Sequence, residues 1–355
     1  MKVLSVVGAR PQFIKEYAIS RHIKKTWEYI VVHTGQHYDY EMSQIFFSEL
    51  DLSPVKYNLE VGSGPHGQQT AQMMIKLEKI LLEEKPDAVL VYGDTNSTLA
   101  GALSASKLHI PIGHVEAGLR SFDRSMPEET NRVLVDHCST LLFCPTDTAR
   151  TNLQHEGIIK GVFLTGDVMV DALQHNLKLA KQSKILSQLT LTKKQYLLVT
   201  LHRAGNTDNT DNLSSIVDAL CSTDEPVVLP LHPRTEKCLK SCNLYKKLAS
   251  HVLIIKPLGY LDFIQLCAHS RMILTDSGGI QKEAYILKVP CVTMRENTEW
   301  VETVDDGWNI LVGSETKKIR EAIKTFQPAS SQRDVFGKGN ASEAIIHELS
   351  SSLTL

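Results

Sequence analysis

The chain has almost no net charge, no paired cysteine motif and no long apolar segment, and each of these absences excludes a class of function. Its 355 residues carry a net charge of −2, which gives no electrostatic reason to expect nucleic acid or an anionic membrane as a partner. No apolar run approaches the roughly 20 residues of a membrane-spanning helix, and the first apolar stretch is too short for a secretion signal. The seven cysteines contain no CxxC pair, which is typical of reduced thiols rather than of disulfides or a zinc site. We therefore expect a cytoplasmic protein without membrane or nucleic-acid partners.

Signals for a metal ion or a dinucleotide cofactor are equally weak. His33, His37, His109 and His114 do not have the spacing of paired metal ligands. The segment GSGPHG (62–67) spells the GxGxxG pattern of dinucleotide-binding proteins, but its proline would stiffen a loop that has to enclose a pyrophosphate. We interpret this segment as an ordinary loop, and we expect no metal and no nicotinamide cofactor.

What the chain does contain is a repeated alternation of short apolar runs with longer segments of helical spacing. Five runs in the first half and five in the second indicate buried strands, and a polar helix-like segment (173–191) separates the two sets. This repetition predicts an α/β fold of two similar domains, each with a mostly parallel sheet and helices on both faces. The predicted limits are 1–168 and 169–340, followed by a final helix (341–355) that packs back on the first domain. Ligands are expected beyond the carboxyl ends of the strands, along a central cleft that the two domains face.

Three acidic residues lie within 35 positions of one another, and each stands where an apolar run gives way to a polar loop: Asp94, Glu116 and Glu128. Carboxylates that are brought together raise one another's pKa, so that one of them can act as a general acid. A single such residue is more often a helix cap or a solvated loop residue. Three of them beside Arg120 and Arg132 favour a reaction centre.

A second motif predicts a binding site for an anion. The segment DSGGIQ (276–281) follows an apolar run and begins a helix-like stretch. Ser277 and the two glycines can present N–H groups and a helix N-terminus to a phosphate, and Glu283 can accept hydrogen bonds from ribose hydroxyls. The alternative is an ordinary helix cap made by Asp276 or Ser277. Strand, Ser-Gly-Gly and helix in succession favour a ligand that contains a diphosphate.

Four further residues stand at strand ends with suitable chemistry. Arg10 and Lys15 follow the first strand and can reach a phosphate or a charged transition state, although solvated surface charge is the usual fate of such residues. His202 and His232 each end an apolar run, where an imidazole can bind phosphate or exchange protons near neutral pH.

Taken together, nine ordered blocks resemble the bacterial and archaeal non-hydrolysing UDP-N-acetylglucosamine 2-epimerases over nearly the whole chain. The blocks are GARPQFIK (8–15), TGQHYD (34–39), YGDTNSTLAGA (92–102), HVEAGLRS (114–121), PEETNR (127–132), GDVMVDA (166–172), LHRAGN (201–206), HPRT (232–235) and TDSGGIQKEA (275–284). The resemblance implies two Rossmann-like domains in the GT-B arrangement. It also implies a homodimeric isomerase, independent of metal and nicotinamide, that interconverts UDP-N-acetylglucosamine and UDP-N-acetylmannosamine for surface polysaccharide synthesis.

The resemblance also assigns roles to individual positions. The family's catalytic carboxylates and histidine match Asp94, Glu116, Glu128 and His202. Its contacts to the UDP-sugar, including phosphate, ribose and uracil, match Arg10, Lys15, Arg132, His232, Phe263, Ser277, Gly278, Gly279 and Glu283. A site at which substrate activates some members matches Gln36, His37 and Arg203.

Two departures from the family pattern leave alternatives open. Gly205 stands where the family usually has Glu, and Lys282 stands where a second acid is common. The LHRA, HPRT and RENTEW (295–300) segments also resemble epimerases of UDP-2,3-diacetamido-2,3-dideoxy-glucuronic acid. A GT-B glycosyltransferase and a nucleotide-sugar sensor without turnover are the remaining alternatives.

Overall fold

A computed structural model describes residues 1–23, 25–36 and 54–353, without the side chain of Arg10. Its chain contacts define two compact units. Unit 1 contains Met1–Gln174 together with the segment that begins at Asp334, and unit 2 contains His175–Arg333. Within the described ranges, no helix combines the length and the apolarity that crossing a membrane requires.

Unit 1 is built on a parallel sheet. The strands are β1 (Lys2–Val7), β2 (Glu28–His33), β3 (Val55–Asn58), β4 (Ala88–Tyr92), β5 (Ile112–Val115), β6 (Leu141–Cys144) and β7 (Val162–Leu164). The described helices are α1 (Arg10–Ser20), α2 (His66–Glu84), α3 (Asn96–Lys107), α4 (Pro127–Cys138), α5 (Asp147–His155) and α6 (Val168–Ala180), the last of which continues into unit 2. The strand order is β3-β2-β1-β4-β5-β6-β7.

Unit 2 repeats this plan. Its strands are β8 (Leu197–Thr200), β9 (Val227–Pro230), β10 (Leu253–Ile255), β11 (Met272–Thr275), β12 (Cys291–Thr293) and β13 (Asn309–Leu311). Its helices are α7 (Ile185–Gln188), α8 (Ala204–Thr207), α9 (Thr210–Leu220), α10 (Pro233–Ser241), α11 (Tyr245–Ala249), α12 (Tyr260–His269), α13 (Gly278–Ile286), α14 (Val301–Asp305) and α15 (Thr316–Thr325). The strand order is β10-β9-β8-β11-β12-β13, again parallel.

The central strands carry continuous runs of apolar residues, without the alternation of apolar and polar residues that a half-exposed sheet shows. This explains why the sheets are covered on both faces. All five residues of β4 are buried, as in other strands whose two faces carry helices. Two separate core clusters lie in unit 2, one containing Leu197 and Val199 and the other containing Tyr196 and Leu198. Successive residues of one strand therefore belong to different cores, which is the arrangement that a doubly wound sheet requires.

The strand order fixes where functional residues meet. Both sheets reverse their order beside the first strand, between β1 and β4 in unit 1 and between β8 and β11 in unit 2. In open α/β sheets, ligands bind at the carboxyl ends of the strands at this reversal. The loops that begin at Gly8, Gly93, Leu201 and Asp276 follow these four strands.

The chain returns to unit 1 for its last described helix, α16 (Ala341–Leu353). This helix packs against α1, and its first backbone N–H groups are capped from α6. The Asp171 carboxylate accepts hydrogen bonds from Ser342 N at 2.9 Å and from Ala341 N at 3.2 Å. A carboxylate at a helix N-terminus is favoured by the helix dipole as well as by these bonds.

Candidate functional site

In unit 1, one buried glutamine connects the loops that follow β1 and β4. The Gln12 side-chain oxygen accepts hydrogen bonds from Gly8 N at 2.7 Å and from Ala9 N at 3.0 Å. Its amide nitrogen donates to the Tyr92 carbonyl at 2.7 Å. Gln12 lies inside a motif quoted from the sequence but had no predicted role, because its partners at β4 are 80 residues away.

Gly8 lies under the start of α3, where space is lacking for any side chain. A Cβ on Gly8 would come within 2.0 Å of Ser97 Oγ and 2.2 Å of Thr34 Oγ1. These hydroxyls are 2.7 Å apart, and Ser97 Oγ donates to Gln36 Oε1 at 2.6 Å. Gln36, a predicted effector residue, is therefore bonded to the N-terminus of α3. His37, another predicted effector residue, lies outside the described residues.

We expect Gly8→Ala to lower the free energy of unfolding by about 1–3 kcal/mol, because a methyl group would displace two bonded hydroxyls in a tightly packed region. Urea-induced unfolding measures this change. Gly64→Ala is the matched control, since a Cβ at Gly64 meets nothing within 4 Å. Equal stability of the two variants would contradict the packing described for Gly8.

Glu116, one of the three predicted catalytic carboxylates, directly follows β5 and forms an ion pair with Lys15 of α1. Both side chains are buried. Glu116 has a φ of +74°, which is unusual for a residue with a side chain and is a form of strain that clusters at functional sites. Gly93 touches this pair, since a Cβ there would lie 3.2 Å from Glu116 Oε2 and 3.3 Å from Lys15 Nζ. The structure thus brings together two residues for which the sequence predicted separate roles.

Asp94 follows Gly93 and forms an ion pair with Arg132 of α4. Arg132 donates from NH2 at 2.6 Å and from Nε at 3.0 Å to Asp94 Oδ2, and from NH1 at 2.9 Å to Glu129 Oε2. Burial alone would raise the pKa of Glu129, but hydrogen bonds from Ser121, Arg132 and Phe122 hold that pKa below its usual value. Glu129 therefore acts as a buried, ionised support for Arg132. No sequence signal separates Glu129 from its neighbour Glu128.

Glu128, the third predicted carboxylate, stands in the first turn of α4 and is only partly buried. Residues three and four positions apart share a helix face, so Glu128 lies on the same side as Asn131 and Arg132. Asn131 donates to the Asp94 carbonyl at 2.9 Å. Among the described residues, no hydrogen bond or ion pair involves the Glu128 side chain. The three carboxylates thus belong to neighbouring segments. Asp94 and Glu116 each form an ion pair, whereas Glu128 forms none among the described residues.

In unit 2, the fully buried Asp276 holds the loop that carries His202. Its carboxylate accepts hydrogen bonds from His202 N at 3.1 Å, Arg203 N at 2.9 Å and Asn206 Nδ2 at 3.2 Å. His202 Nδ1 lies 3.3 Å from Asp276 Oδ1. Desolvation lowers the pKa of the imidazole, and the attraction of Asp276 offsets only part of this effect. The bonds to Asp276 therefore fix the backbone of His202 and Arg203, two predicted site residues, at the end of β8.

Helix α13 begins at the predicted phosphate motif. Ser277 is the N-cap residue, but its side chain makes no capping bond, so the first N–H groups of the helix have no side-chain cap. Gly278 allows close approach on one side, because a Cβ there would lie 1.8 Å from Glu299 Oε1. Glu299 is itself paired with Arg295 at 3.1 Å. Gly279 is exposed, which leaves the helix N-terminus accessible to an anion.

The residues around α13 account for the other predicted contacts in this unit. Tyr260 donates to Glu283 Oε1 at 3.2 Å, and both residues are buried. Phe263 lies one turn beyond Tyr260 and packs in a core cluster of the unit. Lys282, which departs from the family pattern, is buried with its Nζ 4.3 Å from the centre of the Trp300 ring, as in a cation–π contact.

Two predicted residues lie at the surface of unit 2. His232 is exposed and is the N-cap of α10, where its Nδ1 accepts a bond from Arg234 N at 3.2 Å. Gly205 is also exposed, and a Cβ there would meet nothing within 4 Å. The absence of the family's Glu at this position therefore reflects no lack of space. Within the described ranges, no group of three or more His, Cys, Asp or Glu residues could hold a metal ion.

Comparisons with known proteins decide the family. The model of the UDP-N-acetylglucosamine 2-epimerase family matches residues 21–350. The chain belongs to this family. Three predictions from the sequence are thereby confirmed: the family, the GT-B fold and the assignment of the protein as an isomerase.

Several epimerases are similar to the chain over almost its entire length. A UDP-N-acetylglucosamine 2-epimerase homolog of Methanococcus maripaludis is 57% identical over 98% of this chain and 99% of its own length. A UDP-2,3-diacetamido-2,3-dideoxy-D-glucuronate 2-epimerase of Pseudomonas aeruginosa is 48% identical over the same shares. The crystal structure of Methanocaldococcus jannaschii UDP-GlcNAc 2-epimerase in complex with UDP-GlcNAc and UDP has a TM-score of 0.93 and 48% identity, over 99% of this chain and 100% of that one.

Proposed function

We propose that the protein reversibly epimerises C2 of UDP-N-acetylglucosamine, giving UDP-N-acetylmannosamine. The observation that carries this proposal is the set of three carboxylates in unit 1, two of them paired with buried cations. The substrate class is supported by the M. jannaschii epimerase, whose crystals contain UDP-GlcNAc and UDP.

The chemistry of the reaction explains the need for several carboxylates. The C2 proton is not beside a carbonyl group, so it cannot simply be removed and returned. In an elimination, a base takes this proton, a C1–C2 double bond forms, and UDP leaves C1 with the bonding electrons. The product is a 2-acetamidoglucal, and re-addition of UDP with a proton on the opposite face gives the epimer. The enzyme must therefore supply a base, an acid and negative charge near C1.

Asp94, Glu116 and Glu128 share these three tasks in our proposal, which does not assign base and acid to individual residues. Lys15 neutralises Glu116, and Arg132 neutralises Asp94. Glu128 has no such partner among the described residues.

The residues of unit 2 bind the nucleotide in this proposal. The uncapped N-terminus of α13, with Ser277 and its two glycines, receives the diphosphate. Glu283, which Tyr260 orients by a hydrogen bond, accepts bonds from the ribose hydroxyls. His202 assists the departure and return of UDP, and Phe263 lies on the uracil side.

A second candidate substrate is UDP-2,3-diacetamido-2,3-dideoxy-glucuronic acid. The P. aeruginosa epimerase of this sugar is 48% identical to the chain, as is the M. jannaschii epimerase of UDP-N-acetylglucosamine. Overall identity therefore does not separate the two sugars, and both belong in the test.

We expect that incubation with UDP-N-acetylglucosamine in heavy water, without any acceptor, introduces deuterium at C2 and accumulates UDP-N-acetylmannosamine. Proton NMR and mass spectrometry follow both changes. If only the UDP-2,3-diacetamido uronic acid is labelled, the proposed substrate is wrong but the elimination mechanism stands. Transfer of the sugar to an added acceptor, without labelling, would favour a glycosyltransferase, and binding without turnover would favour a sensor.

Other expectations stay predictions from the family resemblance. These are the homodimer, the supply of precursors for surface polysaccharide, the cytoplasmic location, and activation by substrate through Gln36, His37 and Arg203. The same holds for the contacts of Arg10, Arg132 and His232 with the substrate.

A further inference from the structure

A chain of buried charged groups in unit 1 lies beside the carboxylates and has no role in the proposed chemistry. His114, on β5, has its Nε2 2.8 Å from the Gly93 carbonyl and its Nδ1 2.7 Å from Asp136 Oδ1. Asp136 also accepts a bond from Arg120 NH1 at 2.7 Å. Arg120 in turn donates two bonds of 2.7 Å to Glu156, which is partly exposed.

The hydrogen bonds of His114 require protons on both ring nitrogens. A carbonyl oxygen can only accept, so Nε2 must donate to Gly93. Asp136 accepts from the Arg120 guanidinium and from Gly118 N, at 3.1 Å, and the cation beside it favours the ionised carboxylate, which can only accept from Nδ1. Burial would raise the pKa of Asp136, but the charges of His114 and Arg120 outweigh burial and lower it.

Both bonded segments belong to the reaction centre. Gly93 precedes Asp94, has a φ of +63° and lies against the ion pair that Glu116 forms. Gly118 ends the turn that follows Glu116, and its backbone N–H is held by Asp136. The network thus ties the loop after β4 to the loop after β5.

We propose that His114 is a positioning residue: as a doubly protonated imidazolium, it anchors the Gly93 carbonyl and so fixes the two loops that carry the reacting carboxylates. The assignment rests on the proposed epimerisation. His114 is 1% exposed and meets no substrate atom in this role, so its effect is on geometry and on turnover rather than on nucleotide affinity.

The protonation state can be measured directly on the wild-type protein. Nitrogen NMR of protein labelled with 15N-histidine, with His114→Gln used to assign one ring among the 14 histidines, reports whether each nitrogen carries a proton. We expect both nitrogens to carry a proton at pH 7, because each makes a hydrogen bond to a group that accepts. One bare nitrogen at pH 7 would overturn the inference. The charged and titratable groups around this ring and its carboxylate are Asp136, Arg120 and the Cys144 thiol, whose pKa burial raises to about 12. The ion pair of Lys15 and Glu116 lies on the other side of Gly93, to which the ring bonds.

Two substitutions separate the two bonds of the ring. The amide nitrogen of His114→Gln is placed to donate to the Gly93 carbonyl, as Nε2 does, whereas that of His114→Asn is placed to donate to Asp136, as Nδ1 does. We expect kcat to fall by about 100-fold in His114→Asn and by about tenfold in His114→Gln, with KM and UDP affinity changed less than about threefold.

A histidine in unit 2 provides the matched control. His269→Gln in unit 2 removes a partly buried ring whose one bond among the described residues is to the Gln265 carbonyl, at 3.0 Å, and it should keep wild-type kinetics. Equal losses in the two His114 variants, or equal losses in kcat and in UDP affinity, would overturn the positioning role. A wild-type protein without epimerase activity would overturn the proposed function instead, while the NMR measurement would still test the imidazolium. If His114→Gln does not fold, His114→Asn assigns the ring in its place and the NMR measurement decides the case.

Discussion

Glu116→Gln is expected to lower kcat for epimerisation by about 1,000-fold, the middle of the range that general acid–base groups contribute. The substitution removes the charge that Lys15 neutralises but keeps an oxygen that can accept its bond. The N-terminus of α13 and Glu283, to which we assign the diphosphate and the ribose, belong to unit 2, so the dissociation constant for UDP should change less than kcat. Turnover by NMR and UDP binding by calorimetry measure the two quantities separately.

Asp94→Asn and Glu128→Gln should behave in the same direction, with losses of about 100-fold or more. Glu83→Gln is the matched control, because Glu83 is an exposed carboxylate of the same unit. Wild-type rates in all three carboxylate variants would refute the shared role of the cluster. A parallel loss of UDP affinity would mean that these residues bind the nucleotide instead.

Asp136→Ala is expected to lower the free energy of unfolding by about 3–5 kcal/mol at neutral pH, because it leaves two buried cations without their carboxylate. Arg120 and His114 are the cations concerned, and both are nearly inaccessible to water. Urea-induced unfolding of wild type and variant gives the difference. Asp147→Ala is the control, since its Asp is exposed and forms only a surface pair with Arg150.

The same difference should depend on pH in a defined direction. The pKa of Asp136 is lower in the folded protein than in the unfolded chain, because His114 and Arg120 outweigh burial. Its contribution is therefore fully present above the unfolded pKa of about 3.9 and is lost as the pH falls through the lower folded value. Wild type and Asp136→Ala should become more alike in acid. A difference that stays constant down to the acid transition would contradict this account.

Buried strands were the most predictable part of the molecule. The ten apolar runs correspond to β1, β2, β4, β5 and β6 in unit 1 and to β8–β12 in unit 2. The ten runs did not include β3, β7 and β13, which are three or four residues long and only partly buried. A short, half-covered strand at a sheet edge lacks the continuous apolar run that identifies a central strand.

The strand-end placement of two predicted carboxylates was predictable, but their ion pairs were not. Sequence alone placed Asp94 and Glu116 at strand ends, because an apolar run visibly stops there. It could not pair Glu116 with Lys15, 101 residues away, since two charged residues acquire a contact only when the sheet order is known. His114 illustrates the same limit: it was considered only as a metal ligand, whereas its two partners come from the loop after β4 and from α4.

The capping of α16 by Asp171 has a consequence for synthesis on the ribosome. The bonded groups of Asp171 and Ser342 are 171 residues apart in the chain, and all of unit 2 is translated between them. The unit that carries the carboxylates therefore emerges first but lacks one of its helices until residues 341–353 have been made. Closing so long a loop is an entropic burden that local contacts do not relieve. A nascent chain that stalls within unit 2 would present the ribosome-associated chaperones with an uncovered face of α1.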